Sequence, residues 1–221
     1  MNSDKLVNIL IEIEFSGQQL LDENEILAAS KSRSTLIRSL VAKILCYYPE
    51  DFAIMISLNL LKDKNPDVRS SAAIGLDNSS NKKAYDLLKS TFYNDKSAIV
   101  RAYAGCAFIN NSHFKKDCIL ALEDFLSKQK NYLVRTICYG ELYKKYPNEK
   151  YLNKITQCLQ SEIYQTRCAV INTLTEILDD NNAHYIFSAV NKILEKETVD
   201  IVRESAFVLL NKASALSNPP T

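Results

Sequence analysis

Apolar positions recur along this chain with the period of a helix. In "NPDVRSSAAIGL" (residues 65–76) Val68, Ala72 and Leu76 fall four apart on one face, yet Arg69 sits inside that stripe. Five other segments align on an arginine in the same way: "STLIRSLVAKIL" around Arg38, "SAIVRAYAGCAF" around Arg101, "NYLVRTICYGEL" around Arg135, "IYQTRCAVINTL" around Arg167 and "VDIVRESAFVLL" around Arg203. Successive arginines are 31, 32, 34, 32 and 36 residues apart. The residue before each is β-branched (Ile37, Val68, Val100, Val134, Thr166, Val202). The third residue after it is small or medium and apolar (Val41, Ala72, Ala104, Cys138, Val170, Ala206), and the seventh is leucine or phenylalanine (Leu45, Leu76, Phe108, Leu142, Leu174, Leu210). Offsets −1, +3 and +7 from arginine line one stripe of an α-helix.

Other amphipathic segments precede these helices: "DFAIMISLNLLKD", "KKAYDLLKSTFYND", "KKDCILALEDFLSK", "KYLNKITQCLQS" and "AHYIFSAVNKILEK". Turn-forming residues interrupt the pattern at Pro49, "DNSSNK" (77–82), "NNSH" (110–113), "YPNE" (146–149) and "DDNN" (179–182). The unit is therefore helix, short turn, helix, repeated. One such pair cannot bury its apolar face alone, so the expected fold is all-α, a stack of pairs around a continuous core.

In "DKNPDVRSSAAIGL" (63–76) and "DKSAIVRAYAGCAF" (95–108) the repeat resembles the HEAT repeat, in the short form shared with phycobilin-lyase-type repeats: an acid, a spacer, Val-Arg, then alanine and leucine positions. The resemblance spans about residues 30–212. It implies a right-handed α-solenoid of about six helical pairs centred on the six arginines, within a single domain over residues 1–214. Residues 1–29 would cap it, and 215–221 would form a disordered tail. In the resembled family, acids and arginines form a ladder between neighbouring repeats. Here an acid lies six residues before the arginine in three repeats, giving Asp63 with Arg69, Asp95 with Arg101, and Glu197 with Arg203. Ser32, Gln129 and Ser161 stand there in the others. A guanidinium on the packed side needs such partners, because an unpaired buried charge is costly.

The resemblance also implies that the second helix of each pair lines a concave surface, its outer side falling at offsets +1, +2, +5 and +9. Those positions mix apolar and polar residues, as protein interfaces do. The expected partner-binding set is Leu40, Lys43, Tyr47, Ile74, Asn78, Tyr103, Asn110, Ile137, Lys144, Asn172 and Glu176.

Charge is polarised although the net is +1: residues 1–30 carry one lysine against six acids, and residues 82–154 carry 14 lysines and arginines against seven acids. Such asymmetry steers a charged partner. Six cysteines without a Cys-x-x-Cys pair read as reduced core thiols. No metal or cofactor is expected: His113 and His184 are 71 residues apart, and neither is followed by the glutamate of iron-binding HEAT-like enzymes. No glycine-rich phosphate loop or nucleophile elbow is present, so no catalytic residue is assigned. The HEAT-like alkylpurine DNA glycosylases supply the alternative, a nucleic-acid binder, but the chain lacks tryptophan and a dense basic stripe. No apolar run reaches the roughly 20 residues of a membrane span, and the N-terminus lacks the pattern of a secretory signal. The expectation is a cytoplasmic, non-enzymatic module, monomeric when unbound, that grips a protein partner. Its narrower form is a bacterial immunity protein that occludes a cognate toxin.

Overall fold

Many helices in this chain begin where a side-chain oxygen meets their first free N–H groups. The computed structural model describes residues 2–77, 79–110 and 115–217, apart from the side chains of 110, 115 and 217. Its α-helices are α1 (Ser3–Ser16), α2 (Glu23–Ser30), α3 (Thr35–Ile44), α4 (Glu50–Leu60), α5 (Pro66–Gly75), α6 (Lys82–Asn94), α7 (Ala98–Asn110), α8 (Lys115–Ser127), α9 (Tyr132–Lys145), α10 (Glu149–Gln157), α11 (Tyr164–Glu176), α12 (Ala183–Leu194) and α13 (Asp200–Ser217). Asn2, Asn65, Asn81, Asn131 and Asn148 each accept a hydrogen bond from the first turn of the following helix. Asp22 and Glu25 form a reciprocal capping box on α2. The asparagine-rich composition thus has a local use, since each such cap contributes about 1 kcal/mol. No strand occurs among the described residues, and none of their helices is long and apolar enough to cross a membrane.

Contacts divide the chain into two compact units, residues 1–122 and 123–221. In the first, α1 packs on α3, α3 on α5 and α5 on α7, while α2, α4 and α6 pair with α3, α5 and α7. In the second, α9 packs on α11 and α11 on α13, with α10 against α9 and α12 against α13. Each unit is therefore a stack of second helices backed by first helices, the arrangement of an α-solenoid. All eighteen stripe residues at −1, +3 and +7 are buried. The periodicity in the sequence is the core.

Two boundaries differ from the sequence expectation. Residues 1–29 are not a separate cap, because α2 is the first helix of the Arg38 pair and only α1 is additional. The C-terminal helix runs to Ser217, so residues 215–217 are helical; they continue a helix whose packed stripe ends with buried Leu209, Leu210 and Ala213. Residues 218–221 of the expected tail lie outside the described residues.

Close approach between second helices depends on small side chains. A Cβ on Gly75 would lie 2.0 Å from the Ala42 carbonyl oxygen, so α3 and α5 cross there nearly backbone to backbone. In the second unit, buried Asn182 closes the turn before α12. Its amide donates to the Ile177 carbonyl (2.7 Å) and the Tyr143 hydroxyl (3.1 Å), and its oxygen accepts from the Asp179 N–H (3.0 Å). Cys106, Cys118, Cys138 and Cys158 are buried, but Cys46 is exposed, because it falls in the 3-10 turn that follows α3 rather than on the helix's packed face.

Candidate functional site

The arginine of each pair has two sets of donors, and the structure uses them differently. Nη1 of Arg69 donates to the Asp63 and Lys64 carbonyls (2.9 and 3.3 Å), clamping the turn that precedes its own helix. Its Nε and Nη2 grip the carboxylate of Asp95 in the next repeat (2.7 and 2.9 Å). Arg38 repeats this geometry, with Nη1 on the Ser32 and Arg33 carbonyls and a fork on Asp63 (2.6 and 3.1 Å). Arg167 does so again, with Nη1 on the Ser161 and Glu162 carbonyls and a fork on Glu197 (2.6 and 2.8 Å). Each gripped carboxylate also accepts an N–H two residues on, from Asn65, Ser97 or Val199. The paired planar geometry suits a guanidinium and a carboxylate.

The ladder is therefore shifted by one repeat relative to the sequence-derived pairs. An acid meets the arginine of the same repeat through its backbone carbonyl, and its carboxylate belongs to the preceding arginine. Arg38 and Arg167 join the ladder although their own repeats carry Ser32 and Ser161 at the acid position. Comparing the acid column with the arginine of the previous repeat would have found them. Arg101 is half-buried on α7. Arg135, whose successor repeat offers Ser161 instead of an acid, reaches Gln157 Oε1 at 3.5 Å and lies over the rings of Tyr132 and Tyr139 (5.5 and 6.0 Å).

The Arg38 fork is the largest influence holding the Asp63 carboxyl below its usual range. Burial pushes Asp95 upward, but the Arg69 fork and the Ser97 N–H bring it below the usual value. The Arg167 fork does the same for Glu197. Groups depressed in this way stabilise the fold fully above the unfolded carboxylate pKa of about 4, and that contribution is lost as pH falls through their folded values. The free energy of urea unfolding should therefore hold from pH 7 to about 5 and decline below about 4. Asp95→Asn should flatten the decline. An unchanged free energy down to pH 3 would contradict this account of the ladder.

The expected partner-binding residues separate into several groups. Leu40 is 6% exposed, which removes it from any surface; α3 has a neighbouring helix on each side, α1 and α5, and little of its wheel stays open. Lys43 and Tyr47 hold α1: Lys43 Nζ pairs with Glu14 Oε1 (3.0 Å), the Tyr47 hydroxyl donates to the Glu14 carbonyl (3.3 Å), and the Gln19 amide donates to the Tyr47 carbonyl. Lys144 bridges Glu141 and Glu176 (2.9 and 2.8 Å), so two expected binding residues engage each other. Tyr103 and Ile137 are half-buried, while Ile74 and Asn172 are exposed. Asn78 and the Asn110 side chain lie outside the described residues, as does His113.

Sequence reasoning missed offset −2, which lies on the same side of the wheel as +2 and +5. Leu36 and Ile201 occupy it, 55% and 52% exposed. Ile99 and Leu133 fill it half-buried, and Val208 at +5 is exposed. Extending the wheel one turn towards the N-terminus would have shown this run. Among the described residues no group of three or more histidine, cysteine, aspartate or glutamate side chains is placed to hold a metal ion.

Comparison with protein families matches residues 24–107 to HEAT repeats. No curated protein matches the chain significantly. The matched stretch holds α2 to α7 and the rungs Arg38–Asp63 and Arg69–Asp95. HEAT repeats generally mediate interactions between proteins. Residues 24–107 thus resemble HEAT repeats, and the same kind of arginine–carboxylate rung recurs between Arg167 and Glu197.

Proposed function

We propose that this chain is a non-enzymatic module that holds a protein partner against the outer side of its second helices. The observation that carries this reading is the apolar run left in water at −2 and +5: Leu36 and Ile74 in the first unit, Ile201 and Val208 in the second. The opposite stripe of the same helices already fills the core, so the fold itself does not need these side chains exposed. The narrower reading is a bacterial immunity protein that covers the active site of a toxin. Polarised charge supports it, since an acidic stretch over residues 1–30 and a basic stretch over 82–154 suit rapid capture of a charged partner.

Nucleic-acid binding is the weaker reading, because acids hold central lysines. Lys150 donates to Glu123 (2.9 Å) and Lys144 is held between two glutamates. A phosphate-tracking groove needs those charges free. The test is affinity capture from the native host with the wild-type chain and the variants Leu36→Asp and Ile74→Asp. Alongside it, fluorescence anisotropy with labelled duplex DNA and single-stranded RNA is run at low and physiological salt. One stoichiometric protein, lost with the aspartate variants, is the expected result. Nucleic-acid binding that survives physiological salt, or failure to capture any stoichiometric protein, would sink the proposal.

A further inference from the structure

Inside the two units, the junctions α3–α5, α5–α7 and α11–α13 each carry an arginine–carboxylate rung, and α9–α11 carries none among the described residues. Ser161 sits where the acid would be. It follows Arg135 by 26 residues, as Asp95 follows Arg69; its carbonyl takes Arg167 Nη1 (2.8 Å) and its hydroxyl accepts from the Ile163 N–H (3.2 Å). Only the carboxylate is missing. The Arg135 guanidinium meets Gln157 of α10 and the rings of Tyr132 and Tyr139 on its own helix, so none of these contacts holds α11. Ile163 and Tyr164, at the entrance to α11, are 60% and 42% exposed.

The other end of this junction is pinned. Lys144 of α9 pairs with Glu176 of α11 (2.8 Å), and the Asn182 amide links the Tyr143 hydroxyl of α9 to the Ile177 carbonyl just past α11 (3.1 and 2.7 Å). Behind them, the Tyr185 hydroxyl of α12 bonds Asn153 and Thr156 of α10. We propose that the α9–α11 junction is a joint within the second unit: α11, tied to α13 by the Arg167 rung, swings away from α9 and α10 at its N-terminal end about these pins. Such opening breaks no buried ion pair, whereas parting α3 from α5, α5 from α7 or α11 from α13 at the same place separates a fork from its carboxylate. It therefore requires less free energy than global unfolding. The movement changes the distance from Leu133 on α9 to Ile201 on α13, so the outer side adjusts to what it holds. That use rests on the protein-binding reading, but the joint belongs to the fold and is tested without a partner.

Cys158 reports the opening. Its fully buried thiol lies in the 3-10 turn Cys158–Gln160 ahead of Ser161, and burial holds it above the usual range although Thr136 and Arg135 of α9 act against that. Cys118 in the first unit is equally buried, with its thiol also pushed up by burial, and serves as the reference. The native full-length protein is treated with iodoacetamide without denaturant, and labelling of each cysteine is followed by mass spectrometry. Cys158 should react about tenfold faster than Cys118, because a local opening is more populated than a global one. Ser161→Asp, which completes the rung, should slow Cys158 about tenfold and raise the urea midpoint, and adding Arg135→Gln should restore the wild-type rate. Equal wild-type rates at Cys158 and Cys118, or a Cys158 rate indifferent to Ser161→Asp, would overturn the proposal. So would a urea midpoint lowered by Ser161→Asp, since a fork that does not reach position 161 leaves a buried carboxylate unpaired. A failed joint leaves the capture of a protein partner untouched, and a failed capture removes only the use assigned to the joint.

Discussion

Replacing Asp95 by alanine should destabilise the first unit by about 3–5 kcal/mol, the usual cost of stripping one partner from a buried ion pair. The Arg69 and Asp95 side chains are only 5% and 8% exposed, and Asp95 supplies both acceptors for Nε and Nη2 of the guanidinium. Without it, Arg69 keeps its two carbonyl partners through Nη1 but has a charged fork facing a cavity. Asp95 also ties down the Ser97 N–H at the entrance to α7, so the turn loses a restraint at the same time. Asp124→Ala provides the contrast: its pair with Lys128 is exposed on both sides, and such pairs contribute about 0.5 kcal/mol or less. Urea unfolding of the two variants at pH 7 measures the difference. Equal losses would mean that the ladder does not stabilise the stack through its charges.

Gly75→Ala should also destabilise, by about 2 kcal/mol or more, although the same change in an exposed helix interior stabilises by about 1 kcal/mol. The sign reverses because the added Cβ would fall 2.0 Å from the Ala42 carbonyl oxygen, which is backbone. No rotamer change relieves that overlap, so α3 and α5 must move apart along a contact that includes Ser39 and Ser71. Gly140→Ala tests the explanation. There the new Cβ would lie 2.7 Å from the Thr173 Cγ2, the end of a side chain that can rotate. Its loss should be clearly smaller. Midpoints from urea titration decide the order, and a neutral Gly75→Ala would show that the two helices have more freedom than their crossing implies.

Much of the architecture was legible because the core has a period. Every stripe residue aligned on the six arginines is buried, and the caps fall at asparagine, serine and aspartate positions that punctuate the pattern. The candidate surface was less legible. Burial at +2 depends on what packs beside a helix: Leu40 is covered because α3 is flanked by α1 and α5, whereas Ile74, reached by the same wheel at +5, remains exposed. Lys43, Tyr47 and Lys144 read as free polar groups until the structure brings Glu14, Glu141 and Glu176 to them. The acid column was visible too, but its direction was not, since an acid six residues before one arginine is equally well placed in sequence to serve the arginine before it.

Local periodicity and capping chemistry are properties of a few neighbouring residues, so the linear chain alone settles where the helices lie, which face each buries and that the pairs must stack. The carboxylate partners of Arg38, Arg69 and Arg167 lie 25, 26 and 30 residues away, and both the crossing at Gly75 and the burial of Leu40 arise from neighbouring helices. Folding settles these features because hydrogen bonds, steric overlap and exposure act over a few ångströms in space, whatever the separation along the chain.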